Sequence, residues 1–178
     1  MRADFHLCTA RLVLRPGTPA DRADLIALEA DAEVMLYLNG GQPVPDEGLP
    51  DADFLTPRGH EKEVLVVHDL ASGRFVGWFA LLDDGVVDGV KTGELGYRLR
   101  RAAWRKGYAT EAALGLVQVA LGAMGFACLR AETMAVNQGS RRVLEKAGFR
   151  HVGTRPYHGT APLPGAELGE VIYEIRVG

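Results

Sequence analysis

Five cationic side chains, Arg98, Arg100, Arg101, Arg105 and Lys106, fall within nine residues and run into a turn that contains Gly107 and Ala109. Such a cluster can hold an anion. Gly107 has no Cβ to keep a ligand off the backbone, and Ala109 has little. A helical pattern begins at Ala109. The first amides of a helix lack intrahelical acceptors, and its dipole leaves about half a positive charge at that end. A pyrophosphate suits that environment. An ordinary helix start beside a solvated basic face suits the same residues, and spacing alone leaves both readings open.

The elements that must position this turn are legible on either side of it. Leu95, Tyr97 and Leu99 alternate with smaller or charged residues as in a half-buried strand. After the turn, Ala113, Leu116, Val117, Ala120, Leu121 and Met124 share one helical face, and Gly125 suits a left-handed stop. Upstream, residues 9–15 read as a first strand. Thr18 and Pro19 open a helix to about Ala30, and a second short helix carrying Val34, Met35 and Leu38 ends at Asn39-Gly40-Gly41. Residues 63–69 and 74–82 are β-rich runs joined by a hairpin at 70–73, and a turn over 84–91 completes a meander into the Leu95 strand.

Downstream, residues 127–133 form a strand and 137–147 a helix. Asn137 suits its N-cap, Gly148 its C′ position, and Phe149 folds back onto Leu144. Two closing strands, one from Val152 and one over 168–177, flank a Gly/Pro-rich excursion at 157–166. Residues 42–60 carry Pro43, Pro45, Pro50 and Pro57 with Asp46, Glu47, Asp51 and Asp53, which resists long regular structure. We expect a loop over a binding site there.

Composition narrows the function classes. A net charge of -3 makes the cationic cluster local, which argues for a small anion and against a general nucleic-acid surface. His6, His60, His68, His151 and His158 show no metal spacing, and none is assigned a role. Cys8 and Cys128 form neither a metal motif nor a disulfide framework, and Cys128 reads as a small buried hydrophobe. With no long apolar span or signal-like start, a cytoplasmic protein without membrane contact is expected.

The order β-α-α-β-β-β-α-β-α-β-β, the turn Trp-Arg-Lys-Gly-Tyr-Ala-Thr-Glu-Ala and the later Asn-x-x-Ser-x-x-Val-Leu-Glu-Lys-Ala-Gly-Phe together resemble the GNAT acetyltransferases. Within them the chain looks most like the ribosomal-protein N-acetyltransferase (RimJ/RimL-like) branch. The likeness runs from about Ala10 to Tyr157 and is sharpest from Gly93 to Gly153. It implies an α/β (α+β) fold: one GNAT domain over residues 1–178, with a mixed, mostly antiparallel seven-stranded sheet and about four helices. It implies acetyl-CoA as cosubstrate and no metal.

The resemblance also distributes roles. Backbone N–H groups from Arg105, Lys106, Gly107, Tyr108, Ala109 and Thr110 would bind the pyrophosphate, with Leu99 and Arg100 contacting the cofactor near the end of their strand. Asn137 and Ser140 would lie beside the thioester arm, although helix capping also accounts for both. Trp104, where the general motif has Gln or Arg, is expected to pack under the loop. In direct acyl transfer an amine must be neutral, its proton must be accepted, and the thiolate must be protonated. Glu94 is the candidate base, Ser140 the candidate acid and Tyr157 its reserve. An α-amine, with a pKa of about 7.7–8.0, is easier to deprotonate than lysine at about 10.4.

The expected activity is acetyl transfer to a protein N-terminal α-amine, with a small-molecule amine as alternative. A non-catalytic coenzyme A-binding module keeps the fold without the reaction. The acceptor side is expected at 42–60 and 157–166, and the acidic residues of the first segment would favour a cationic amine; both monomer and homodimer remain open. A nucleotide-binding module is disfavoured, since Gly107-x-Ala109 matches neither phosphate-loop signature.

Overall fold

The computed structural model describes residues 5–42, 62–160 and 162–177. The elements are β1 (Leu7–Cys8), β2 (Leu12–Pro16), α1 (Arg22–Glu29), α2 (Ala32–Asn39), β3 (Lys62–Asp69), β4 (Phe75–Val87), β5 (Val90–Leu99), α3 (Tyr108–Leu121), β6 (Cys128–Met134), α4 (Gln138–Lys146), β7 (Arg150–Arg155) and β8 (Glu170–Arg176). They build a mixed α/β fold on one eight-stranded sheet, ordered β1-β2-β3-β4-β5-β6-β8-β7. The β5–β6 pair is parallel and the others are antiparallel. The strand beyond the expected seven is β1, which pairs with β2 through two residues only, too short to carry a periodic signal.

Alternation along the strands sends side chains to two cores. Leu12, Leu14, Leu65, Val67, Phe79, Leu81, Leu95 and Leu99 pack with α3 and α4 on one face. Val66, Phe75, Trp78 and Ala80 pack with Leu25 and Leu28 of α1 on the other. This division gives every residue of β5 a defined side: Leu95, Tyr97 and Leu99 belong to the α3–α4 face, and Glu94, Gly96 and Arg98 to the α1–α2 face.

The largest differences from the sequence reading lie at three boundaries. The β4–β5 turn is not spread over 84–91; β4 runs to Val87, and the turn is Asp88-Gly89 with φ of 51° and 81°. Asp-Gly is the pair that two successive positive φ values favour, and the bulge at Asp83–Val86 hid the continuing strand. Second, α3 stops at Leu121, and Gly125, at φ 70°, belongs to the following turn. Third, the first strand is offset to Leu12–Pro16. The end of α4 is as expected: Phe149 N–H bonds the Leu144 carbonyl at 3.0 Å and Gly148 N–H that of Glu145 at 3.1 Å, with Gly148 at φ 96°. Residues 43–60, expected as a loop, lie outside the described residues.

A buried polar cluster ties β2 and β3 to the start of α1. Asp21, 3% exposed, accepts two bonds from Arg15 at 2.8 Å each and bonds from the Thr18 N–H and hydroxyl, while His68 Nε2 lies 3.5 Å away. Burial opposes the Asp21 charge, yet the bonds from Arg15 and Thr18 outweigh it and hold this carboxyl below the usual range. Burial, aided by Arg15, also holds the His68 imidazole below its usual range. Both groups therefore bind protons more readily in the unfolded chain, so stability is full above their unfolded pKa values and falls with pH. Thermal stability is expected to decline from about pH 6.5 downward as His68 titrates, and further below about pH 4 through Asp21. Asp21→Asn should cost about 3 kcal/mol at neutral pH in a denaturant titration, because Arg15 loses its charged partner. The variant should also lose the lower step of the pH curve.

Candidate active site

The turn before α3 is held by residues a hundred positions away. Thr9 Oγ1 donates to Glu111 Oε1 at 2.6 Å, Arg11 N–H to the same oxygen at 2.8 Å, and Arg11 Nε to Oε2 at 2.7 Å. Arg11 Nη1 also donates to the Lys106 carbonyl at 3.0 Å, and its guanidinium covers the Tyr108 ring at 4.7 Å. Burial works against the Glu111 charge, but the bonds from Thr9 and Arg11 prevail and hold its carboxyl below the ordinary range. From the other side, the Tyr108 hydroxyl donates to Asp69 at 2.8 Å. Bonds from Ser72 and Tyr108 lower the Asp69 carboxyl to about 2. The turn is thus clamped between the approach to β2 and the end of β3.

Its backbone has the shape of an anion cradle. Arg105 and Gly107 adopt φ of 60° and 80°, and the first helical bond runs from Glu111 N–H to the Gly107 carbonyl at 3.0 Å. The amides from Gly107 to Thr110 consequently have no helical acceptor. A Cβ at Gly107 would meet Arg11 Nη2 at 3.4 Å and nothing else within 4 Å, so the protein leaves room for a ligand there. These residues fit a pyrophosphate.

The cationic cluster is less uniform than its sequence suggests. Arg98 pairs with the buried Glu29 and covers the Trp78 ring at 5.2 Å, fastening β5 to α1, while Arg101, in the turn after β5, pairs with Glu33 of α2. Arg100 Nη1 donates to the Phe75 carbonyl at 3.3 Å and its amide to the Val76 carbonyl at 3.0 Å. Arg105 and Lys106 are exposed at the turn itself. Trp104, expected to pack beneath the loop, is 40% exposed, and its indole N–H donates to the Leu99 carbonyl at 2.7 Å. The Leu99 side chain is buried in the core, which leaves its amide as the group it can offer.

Next to this turn the sheet opens. β5 and β6 share three pairs, Thr92 with Cys128, Gly93 with Leu129 and Glu94 with Arg130, after which the strands part. Gly96 to Leu99 thus has no β6 partner, an edge of roughly 13 Å at about 3.3 Å per residue. Because Arg100 N–H bonds Val76, the alternation of the antiparallel β4–β5 ladder turns the amides of Tyr97 and Leu99 toward the gap, while that of Leu95 faces β6 at the last rung of the parallel ladder. Glu94 stands at the apex on the α1–α2 face.

On the opposite face α4 spans the gap. Asn137 caps α4, its Oδ1 accepting the Ser140 N–H at 3.1 Å. The Ser140 hydroxyl lies 2.9 Å from the Tyr97 hydroxyl, and Tyr97 stacks on Phe79 with centroids 5.0 Å apart. Burial pushes the Tyr97 phenol up to about 12, against the bond from Ser140. Tyr157 sits in the loop after β7, its phenol filling the space that a side chain at Gly159 would need. That loop also reaches α2, since a Cβ at Gly40 would lie 3.1 Å from the Pro162 carbonyl oxygen. The acidic segment expected to face the acceptor falls within 43–61, outside the described residues.

Arg11, Glu111 and Tyr97 were not singled out from the sequence. The Arg11–Glu111 clamp joins residues 100 apart, for which a single sequence holds no signal. Tyr97 was visible as a strand residue, but its partner on α4 was not.

A family model described as an acetyltransferase (GNAT) domain matches residues 11–150. The chain belongs to the GNAT acetyltransferases. An FsC-acetyl coenzyme A-N(2)-transacetylase from Aspergillus fumigatus is 33% identical over 186 aligned residues, covering 98% of this chain and 77% of that protein. Among solved structures, the ribosomal L7/L12 α-N-protein acetyltransferase RimL in complex with coenzyme A superposes with a TM-score of 0.80 at 14% identity, over 97% of this chain and 98% of its own. Spermidine N-acetyltransferase from Vibrio cholerae, with coenzyme A and spermine, gives 0.78 at 14% identity, over 93% and 95%.

As a GNAT enzyme the protein is an N-acetyltransferase that uses acetyl-CoA. Among the described residues no three His, Cys, Asp or Glu side chains gather as a metal site, and no helix is long and apolar enough to cross a membrane.

Proposed function

We propose that this GNAT domain acetylates an α-amine, and that the acceptor is the N-terminus of a basic protein. The parting of β5 from β6 immediately beyond Glu94 carries the reading. It places a carboxylate on one face of a gap whose other face carries the Ser140 hydroxyl and the anion cradle. An acceptor approaching from the α1–α2 face would meet Glu94, and a cofactor arm laid along the β5 edge would meet Ser140. Acetyl-CoA supplies the activated thioester.

The chain's own residues supply the remainder. Amides from Arg105 to Thr110 hold the pyrophosphate, with Arg105 and Lys106 adding charge. The amides of Tyr97 and Leu99 bind along the gap, where one of them can stabilise a developing oxyanion. Glu94, directly or through water, accepts the proton shed by the amine. Ser140 protonates the departing sulfur, and Asn137 fixes the turn that carries Ser140. The two cysteines are unpaired, which supports a reducing, cytoplasmic setting.

An α-amine needs less driving force to lose its proton than a lysine, and RimL, with a similar fold, is named for an α-N-protein acceptor. The FsC transacetylase, at 33% identity, favours a small-molecule amine as the second reading. Free-thiol release from acetyl-CoA should be followed with basic N-terminal peptides, polyamines, aminoglycosides and amino acids. Basic peptides are expected to give the highest kcat/KM, declining with added salt as the carboxylates of Asp46, Glu47, Asp51 and Asp53 are screened. Preference for a neutral or acidic small amine, indifferent to salt, would overturn the protein acceptor and favour the second reading.

A further inference from the structure

We propose that Tyr97 is a positioning residue for proton delivery, setting which way the Ser140 hydroxyl points. The inference rests on the reading of Ser140 as the group that protonates the leaving sulfur. Tyr97 has one proton and two acceptors within reach, both on Ser140: the hydroxyl oxygen at 2.9 Å and the main-chain carbonyl at 3.2 Å. The choice between them decides what Ser140 can do. With the Tyr97 proton on the carbonyl, Ser140 spends its own proton on the phenol oxygen. With the Tyr97 proton on the Ser140 hydroxyl, the serine proton is released to point elsewhere.

The second arrangement is the productive one. As the carbon–sulfur bond breaks, its electron pair goes to sulfur, which takes the Ser140 proton. The Tyr97 proton then bonds the serine oxygen while charge is there; solvent water returns a proton to Ser140, and the proton that Glu94 took from the acceptor nitrogen passes to water, so the protons balance as the new nitrogen–carbon bond replaces the carbon–sulfur bond. Nothing is oxidised or reduced.

Three features suit Tyr97 to this task. Stacking on Phe79 fixes the ring, so the hydroxyl stays opposite the first turn of α4. Asn137 fixes that turn from its own side through the Ser140 N–H. A buried phenol whose pKa lies near 12 keeps its proton throughout the working pH range, so it remains a donor when Ser140 needs one. A role in packing alone would require the ring and not the hydroxyl.

The test is Tyr97→Phe, which retains the ring, combined with Ser140→Ala and the double variant. Turnover is measured with acetyl-CoA and with acetyl-selenocoenzyme A, whose selenol is a stronger acid and leaves with less need of a proton. Tyr97→Phe is expected to lower kcat about tenfold, the scale of one hydrogen bond, with little change in KM for acetyl-CoA. The selenoester should restore most of that loss, and Tyr97→Phe should cost nothing further in the Ser140→Ala background.

Additive losses without rescue by the selenoester would overturn the proposal and leave Tyr97 as packing. Unchanged kcat in Tyr97→Phe, with a rescued loss in Ser140→Ala, would overturn the Tyr97 role alone. Full activity in Ser140→Ala would instead remove the reading of Ser140 on which the role depends.

Discussion

Gly107→Val is expected to weaken coenzyme A binding about 100-fold, close to 2.7 kcal/mol, while the protein stays folded. Two effects add. The residue sits at φ 80°, where an L side chain costs roughly 1–2 kcal/mol and a β-branched one strains further. The added methyl groups would also occupy the space over the amides from Gly107 to Thr110. The fold should survive because the neighbour a Cβ meets there is the end of a flexible arginine, 3.4 Å away, and Arg105 already holds φ 60° in the same turn. Calorimetric titration with coenzyme A measures the affinity and thermal melting checks the fold. An unchanged dissociation constant in a folded variant would remove the cradle.

Ser140→Ala is expected to lower kcat by about 10²–10⁴-fold with a much smaller change in cofactor affinity, as loss of a principal acid requires. The α4 cap should persist, since the bond to Asn137 is made by the main-chain N–H of residue 140 and not by the hydroxyl. Steady-state turnover at saturating acceptor, with coenzyme A affinity measured separately, gives the two quantities. Near-normal kcat would move the role to Tyr157 or water.

Which parts of this site could be read from the chain follows from how locally each is encoded. The turn at Gly107 is a local object: a glycine at positive φ, small neighbours and a helix start lie within a few residues, so its shape was legible. The capping of α4 by Asn137 and its stop at Gly148 were legible for the same reason. The cationic cluster was misjudged because charge is visible in a sequence and pairing is not. Glu29 and Glu33, almost seventy residues upstream, engage Arg98 and Arg101. The opening between β5 and β6 is a relation between two strands with a helix between them, so neither strand's pattern announces where pairing ends. Strand parity was readable in β5, but that Glu94 and Tyr97 serve opposite faces of one gap needed the sheet.

The strand order also bears on how the chain acquires its shape during synthesis. From β1 to β5 neighbours in the sheet are neighbours in sequence, so this part can assemble as it emerges, by short-range pairing. The remainder cannot. β8, the last of the eight to be made, lies between β6 and β7, so each of those strands shows an unpaired edge until β8 arrives. The side chains that meet it are already charged in matching order: Arg130 on β6 awaits Glu174, and Arg155 on β7 awaits Glu170. A one-residue slip would turn those glutamates toward the core and Tyr173 toward water, so the late strand has one register in which to dock.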